Sequence, residues 1–273
     1  MPVKKRTLVQ KFFADRGTHL AAMIAYFALL SFVPLTFLAL ALLGLTGRAD
    51  ESSFLVKEIR HAVPGAPIER IVDLVNAVRR SAAALGIIGG AALLWTSLSF
   101  FSVLESAFNI VYGRPNRSFL HGKGLALVLM TGSLVTLFVA LLAGSLGVAV
   151  LREYAPGFVK NAVTAYTLSI AISTAGVFVF LVAVYYLLTN VEHSFADVLP
   201  GAVVAAVVLE ASFQVLPIYV RFTQLNPTLR TFGGTAILLV WLYVMANVIV
   251  FGAELNWWWE RRRAAPEEAP GLA

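Results

Sequence analysis

Residues 20–45 read LAAMIAYFALLSFVPLTFLALALLGL, a stretch of 26 residues without a single charged side chain. A helix needs about 20 apolar residues to cross the hydrocarbon core of a bilayer, so this stretch is long enough to span a membrane. Five more long apolar stretches follow it along the chain: residues 82–104, 124–150, 163–188, 198–220 and 235–258. The sequence therefore predicts an all-α, polytopic membrane protein with six transmembrane helices.

The composition agrees with this fold class. Hydrophobic residue types make up 59% of the 273 residues and charged types 13%, whereas about one quarter of a soluble domain is charged. The chain has no cysteine, which excludes disulfides, thiolate nucleophiles and cysteine-ligated metals. The net charge of +6 is expected to orient the helices and to meet anionic lipid rather than nucleic acid.

Segments outside the predicted spans define the domain organisation. Residues 1–18 mix basic and apolar side chains at helical spacing, which predicts a short cytoplasmic interfacial helix. Residues 50–80 hold two amphipathic patterns separated by the sequence PGAP at 64–67, which predicts an extramembrane helical hairpin. The transmembrane domain then covers residues 19–260 and includes this hairpin, and residues 261–273 form a cytoplasmic tail.

Lysine and arginine in the short loops predict the orientation of the chain. With the charge-balanced hairpin set aside, eleven of them fall on the side of the two termini and four on the opposite side. Because cytoplasmic loops carry the excess of basic residues, both termini are predicted to be cytoplasmic. Trp257, Trp258 and Trp259 would then lie at the inner membrane interface, where amphipathic rings are enriched.

Glu210 is the most informative single residue, because it is a carboxyl inside an apolar run. A carboxyl at this depth costs a few kcal/mol on insertion scales, so it should face the bundle interior, be paired or be protonated. Its predicted neutral partners are Gln214 one turn along, and Asn247, Ser31 or Ser97 if their helices adjoin. One interpretation is a substrate or proton site in a partly hydrated cavity; the other is an interhelical hydrogen bond that only fixes packing.

A second polar group is predicted at the cytoplasmic ends of two spans. Glu254 and Asn256 lie near the end of the last span, and Glu105 and Asn109 share one helical face at the end of the second. They could form a polar mouth of the bundle or merely cap the interface. Pro34 lies inside the first span, where proline can kink a helix; kinked helices occur both at transporter sites and in ordinary membrane helices.

Three stretches of the chain resemble the BrkB/YihY family of bacterial inner-membrane proteins. They are AAMIAYFALLSFVPL at 21–35; LW at 94–95 with AFNIVY at 107–112; and PGA at 200–202 with Tyr219, GG at 233–234, WLY at 241–243 and GAELN at 252–256. The resemblance covers nearly the whole chain. It implies six helices in the bacterial inner membrane and a role in envelope transport, such as the movement of lipid or of lipopolysaccharide precursors.

The family also has an old label, ribonuclease BN, which this sequence argues against. Hydrolysis of RNA needs clustered metal ligands or a positioned acid–base pair in water, and the extramembrane loops offer neither. We therefore expect no enzyme, no catalytic residue, no metal and no cofactor. The expected partners are membrane lipids and an anionic or lipid substrate, with no nucleic acid; a homo-oligomer is left open. The alternative function is a structural or assembly protein of the envelope.

Overall fold

A computed structural model describes residues 7–45, 85–133, 162–192, 194–225 and 233–264. These residues form seven α-helices and no strand, which confirms the all-α class. The helices are α1 (Leu8–Ala14), α2 (Gly17–Leu45), α3 (Leu85–Tyr112), α4 (119–133), α5 (Ala162–Leu188), α6 (Phe195–Leu225) and α7 (Gly233–Ala264). The predicted hairpin at 50–80 lies outside the described residues.

Four helices contain a segment that is long and apolar enough to cross a membrane, counting the described residues alone. These segments are Leu94–Tyr112, Ile170–Leu188, Phe195–Leu216 and Ala236–Arg263, and α2 contributes the shorter apolar segment Gly17–Ser31. All five overlap predicted spans, although α3 and α7 continue beyond the predicted ends at 104 and 258. Because the third predicted span is described only as far as residue 133, the count of six stays a prediction.

The outer surface of the helices is apolar while the contacts between them use small side chains. Alanines lie completely or almost completely buried where helices pack: Ala21, Ala107, Ala202, Ala205 and Ala253. Large apolar side chains are instead exposed along α5, α6 and α7: Ile172, Val179, Val203, Val207, Val215, Val240 and Val244. Small residues at helix contacts and an apolar exterior are the arrangement that lipid as solvent favours.

The last helix is the centre of the bundle. α7 packs against α2 on one side and α6 on the other, α2 also packs against α3, and α5 packs against α6. An aromatic contact in the core joins Phe108 of α3 to Tyr185 of α5, with ring centroids 5.2 Å apart. Side chains on α7 are therefore the ones most able to connect different parts of the molecule.

The short helix α1 begins and ends with recognisable local signals. Thr7 Oγ1 accepts a hydrogen bond from the backbone N–H of Gln10, and Gln10 Oε1 accepts one from the backbone N–H of Thr7. This capping box satisfies two helix-end donors. Arg16 then adopts a left-handed conformation (φ 56°) that turns the chain into α2. A side chain at Gly17 would meet the ring of Phe12 at 2.4 Å, so glycine is required at this turn.

Five chain segments meet at one end of the bundle, which we call the α1 end. Here α1, the C-terminal ends of α3, α5 and α7 and the N-terminal end of α6 contact one another through Lys11–Val111, Lys11–Glu254, Arg117–Leu188 and Asp197–Arg263. The segments that sequence analysis assigned to one side of the membrane thus lie together.

Candidate functional site

Glu210 lies on α6 about 22 Å from its first residue, at 1.5 Å per residue. The side chain is buried, with 7% of the residue exposed. Its carboxylate accepts one hydrogen bond from Ser173 Oγ on α5 (2.8 Å) and one from Gln214 Nε2 on its own helix (2.9 Å). The carboxyl is therefore held at the contact between α5 and α6 by two neutral donors.

Two of the partners predicted for Glu210 make hydrogen bonds elsewhere. Asn247 Nδ2 donates to the carbonyl of Tyr243 on its own helix (2.7 Å). Ser31 Oγ donates to the carbonyl of Thr96 on α3 (3.0 Å) and so joins α2 to α3. These contacts hold Asn247 and Ser31 in the packing of their own regions, whereas Gln214 is a predicted partner that does contact the carboxyl.

Ser173 is the partner of Glu210 that sequence reasoning missed. It is a small polar residue within the apolar segment Ile170–Leu188, and such residues occur in many membrane helices without a special role. The local sequence does not reveal which helices adjoin, and the contact depends on α5 packing against α6. Both donors, Ser173 and Gln214, are exposed on the surface of the fold, so the polar group reaches the side of the bundle.

Glu254 forms a buried ion pair at the α1 end. Lys11 Nζ lies 2.7 Å from Glu254 Oε2, donates to the carbonyl of Val111 (2.8 Å) and also pairs with Asp15. The ammonium lies 4.1 Å from the centroid of the Trp257 ring. Because Glu254 is completely buried, its charge is neutralised by Lys11 rather than by water.

This ion pair gives Lys11, one residue of α1, a buried position that the sequence pattern does not reveal. Lys11 was placed among the basic side chains of a surface helix, yet it is 7% exposed and turned into the bundle. The physical reason is the carboxyl of Glu254, which needs a cation when it is removed from water. Within the described residues, Glu254 Oε1 has no hydrogen-bond partner, so the pair is only partly satisfied.

Asn256 connects α7 to the beginning of α6. Its Oδ1 accepts a hydrogen bond from the backbone N–H of Gly201 (2.6 Å). The two helices approach closely here, because a side chain at Gly201 would meet the carbonyl oxygen of Gly252 at 2.0 Å. Tyr185 of α5 adds a hydrogen bond to the carbonyl of Ile249 (2.7 Å). The predicted site residue Asn256 is therefore part of a tight helix crossing.

Glu105 contacts the loop that follows its own helix. Its Oε1 accepts from the backbone N–H of Arg117 (3.2 Å) and lies 3.5 Å from the Arg117 guanidinium. The same guanidinium donates to the carbonyls of Leu188 (2.6 Å) and Thr189 (2.9 Å). Arg117 thereby binds the last carbonyls of α5, which have no partner within that helix.

Asn109 has the same role one turn later. Its Oδ1 accepts from the backbone N–H of Asn190 (2.7 Å), and its Nδ2 donates to Asn116 Oδ1 (3.1 Å). The side chain of Asn190 in turn donates to the carbonyl of Pro115 (3.0 Å). These hydrogen bonds join the loops after α3 and α5.

The predicted polar mouth therefore divides into separate contacts. Glu254 pairs with Lys11 and Glu105 with Arg117, so among the described residues each carboxyl has a cation of its own.

Pro34 lies in α2, which runs as one helix from Gly17 to Leu45, and its side chain is not among those described.

Comparison with known proteins gives the family. The family model of the virulence factor BrkB matches residues 8–272. A ribonuclease-like protein of Bacillus subtilis (strain 168), YfkH, is 26% identical over 97% of this chain and 98% of its own length. The UPF0761 membrane protein of Chromohalobacter salexigens is 29% identical over 95% of this chain and 64% of its own.

A further relative is the UPF0761 membrane protein of Aromatoleum aromaticum, 27% identical over 92% of this chain and 62% of its own length. The chain thus spans nearly all of the Bacillus protein and less than two thirds of the other two. No solved structure is significantly similar to it. The match over nearly the whole chain, the apolar helices and the membrane-protein relatives agree, and the chain belongs to the virulence factor BrkB family of membrane proteins.

Proposed function

We propose that this chain is a non-enzymatic transport or lipid-handling protein of the bacterial inner membrane, with Glu210 in the path of its substrate or of a coupled proton. The observation that carries the proposal is the carboxyl itself. It lies deep within an apolar segment, and the donors that contact it are neutral. Such a carboxyl can gain or lose a proton, or meet a cationic head group, without first breaking an ion pair with either donor.

The position of Glu210 favours a substrate that arrives from the lipid. Its two donors, Ser173 and Gln214, are exposed where α5 and α6 meet, and their apolar neighbours Val207 and Phe213 are exposed as well. A polar group at the side of a membrane bundle is reached through the bilayer rather than from water. A lipid head group that moves along this side would meet the carboxyl.

The second candidate function is structural. The hydrogen bond from Ser173 to Glu210 joins α5 to α6, and polar contacts of this kind specify helix packing in membranes. Under this alternative the buried polar groups of the chain fix its shape, and the protein serves assembly of the envelope. Both functions are compatible with the same contacts of Glu210. They differ in the expected effect of a side chain at position 210 that cannot ionise: transport would be lost, whereas a structural function would be kept.

The substitution Glu210→Gln separates the two functions. Glutamine keeps the shape of the side chain, and the hydroxyl of Ser173 can turn to accept a hydrogen bond where it now donates one. We expect the variant to insert and unfold like the unchanged protein but to fail to complement a deletion strain, as measured by envelope-stress response and lipid composition at native expression. Full complementation by this variant would rule out an ionisable role.

The matched control is Ser173→Ala, which removes a hydrogen bond from Glu210 and leaves the ionisable group in place. Transport predicts that this variant complements in proportion to the amount of folded protein. A structural function predicts the opposite order, with Ser173→Ala more harmful than Glu210→Gln. Thermal unfolding of both purified variants gives the stability against which complementation is compared.

The ribonuclease-like name of the Bacillus relative is not carried over to this chain. General acid–base hydrolysis needs a titratable pair that reaches a substrate in water. Glu105 and Glu254 are buried carboxyls at the α1 end, and each is paired with a cation. Those contacts serve the packing of loops and helices rather than a water-filled acid–base site.

A further inference from the structure

The C-terminal turns of α7 carry three tryptophans followed, one residue later, by three arginines. The four-residue spacing puts each arginine over one ring: Arg261 lies 4.6 Å from the Trp257 centroid, Arg262 3.7 Å from Trp258, and Arg263 5.9 Å from Trp259. The three arginines are exposed, and Trp257 and Trp258 are half-buried. The stacks therefore stand on the surface of the α1 end.

Charge is not distributed evenly over this turn. Arg263 lies 3.5 Å from Asp197 of α6 and has the longest ring distance of the three. Lys11 also contacts the Trp257 ring, but its charge is neutralised by Glu254 and Asp15. Arg261 and Arg262 thus have the two shorter ring distances, and we call Trp257, Trp258, Arg261 and Arg262 the Trp–Arg patch.

Stacking prepares these guanidinium groups for one kind of ligand. A guanidinium that lies on an aromatic ring uses its face for the ring and keeps its N–H groups at the edge, where they can bind a phosphate through two parallel hydrogen bonds. The stack also reduces the number of rotamers that must be ordered when the ligand binds. Two adjacent stacked arginines make a site for a phosphodiester or for two phosphates.

The location selects a lipid as the source of that phosphate. The patch ends the 28-residue apolar segment Ala236–Arg263, and tryptophan prefers the depth of the lipid head groups. The neighbouring helix α1 buries Lys11 and Phe12 but exposes Val9 and Phe13, and apolar side chains of a surface helix insert among acyl chains. We propose that the Trp–Arg patch binds the head group of an anionic phospholipid. This inference concerns a site separate from Glu210 and does not depend on the proposed function.

Native mass spectrometry of the purified full chain tests the proposal, with phosphatidylglycerol and phosphatidylcholine of equal acyl length as probes. Arg261→Gln/Arg262→Gln removes both proposed guanidinium–phosphate contacts and should lower the preference for phosphatidylglycerol on the order of 30-fold. The control Arg114→Gln/Arg263→Gln removes the same charge but no contact of the patch, so the preference should stay within about twofold of that of the unchanged chain. Equal losses in the two double variants would overturn the site in favour of diffuse charge.

Two more variants test the stacks without removing charge. Trp258→Phe keeps the turn but weakens the cation–π contact, and Arg261→Lys/Arg262→Lys keeps the charge but loses the flat, two-pronged donor. Both should lose part of the preference, and an unchanged preference in both would overturn the stacked geometry. Inorganic phosphate or a short RNA that displaces phosphatidylglycerol at matched charge would overturn a lipid ligand. Circular dichroism establishes that each variant keeps its helix content.

Discussion

Lys11 shows at the scale of one residue how a charge can be structural inside a membrane protein. This residue of α1 is buried against α7, and its Nζ lies 2.7 Å from Oε2 of the fully buried Glu254. Breaking a buried ion pair from one side leaves an uncompensated charge, which costs about 3–5 kcal/mol. We predict that Lys11→Met lowers the free energy of unfolding by about this amount, measured in mixed micelles.

The double variant Lys11→Met/Glu254→Gln makes this prediction specific. Since it removes both charges together, it should be less destabilised than the sum of the two single variants. Glu192 is exposed, and Glu192→Gln serves as the control, with an expected change within about 0.5 kcal/mol. Additive losses in the cycle would mean that Lys11 and Glu254 do not stabilise each other.

The functional residues differ in how far the sequence reveals them. Glu210 stands out because a carboxyl inside an apolar run is costly wherever the helix packs. Its partner Ser173 does not stand out, since the contact depends on α5 lying beside α6. Lys11 is missed for the same reason, because 243 residues separate it from Glu254 in sequence. The local sequence therefore identifies a carboxyl that is costly to bury, whereas tertiary packing determines which side chain pairs with it or donates a hydrogen bond to it.

At the scale of the helices, the crossing of α6 and α7 depends on two glycines. A Cβ at Gly201 would lie 2.0 Å from the carbonyl oxygen of Gly252, and one at Gly252 would lie 2.3 Å from the Tyr185 hydroxyl. Backbone cannot yield as a flexible side chain can, so the helices would separate and strain the hydrogen bond between Gly201 and Asn256 (2.6 Å). The close packing of α6 against α7 therefore requires glycine at both positions.

We predict that Gly201→Ala destabilises the protein by at least about 1–3 kcal/mol, the usual cost of an overpacked contact. The matched control is Gly176→Ala on α5, where nothing lies within 4 Å of the new methyl group. That control should be neutral or more stable by about 0.5–1 kcal/mol, because alanine favours helix. Chemical unfolding of both variants measures the change in the free energy of unfolding. An equal change at the two positions would contradict the close crossing of α6 and α7.

The positions of most helices are predictable from the sequence to a few residues, whereas the C-terminal ends of α3 and α7 are not. α2, α5 and α6 begin within three residues of the predicted spans, since a long apolar run has few other solutions in lipid. α3 and α7 extend eight and six residues beyond their predicted ends, to Tyr112 and Ala264. Both extensions contain charged or amide side chains that contact loops and neighbouring helices, which a search for apolar runs cannot detect.

At the scale of the whole molecule, the described helices predict the path of the rest of the chain. α3 ends at the α1 end, because Val111 contacts Lys11, and α5 also ends there, because Arg117 binds Leu188. α5 therefore begins at the opposite end, and the chain has to cross the membrane an odd number of times between α3 and α5. The apolar stretch 124–150 is the predicted span in that interval, so we predict six crossings in total.

Six crossings put both termini on one side, and the excess of basic loop residues predicts that this side is the cytoplasm. The chain has no cysteine, so single cysteines can be labelled with a membrane-impermeant maleimide against a background of zero. We expect Ala66→Cys, in the predicted outer hairpin, to react in intact spheroplasts, and Ala264→Cys, at the end of α7, to react only after permeabilisation. Reaction of Ala264→Cys in intact cells would contradict the orientation. Reaction of the two positions from the same side would contradict the even number of crossings, because the hairpin follows one crossing and the C-terminus follows six.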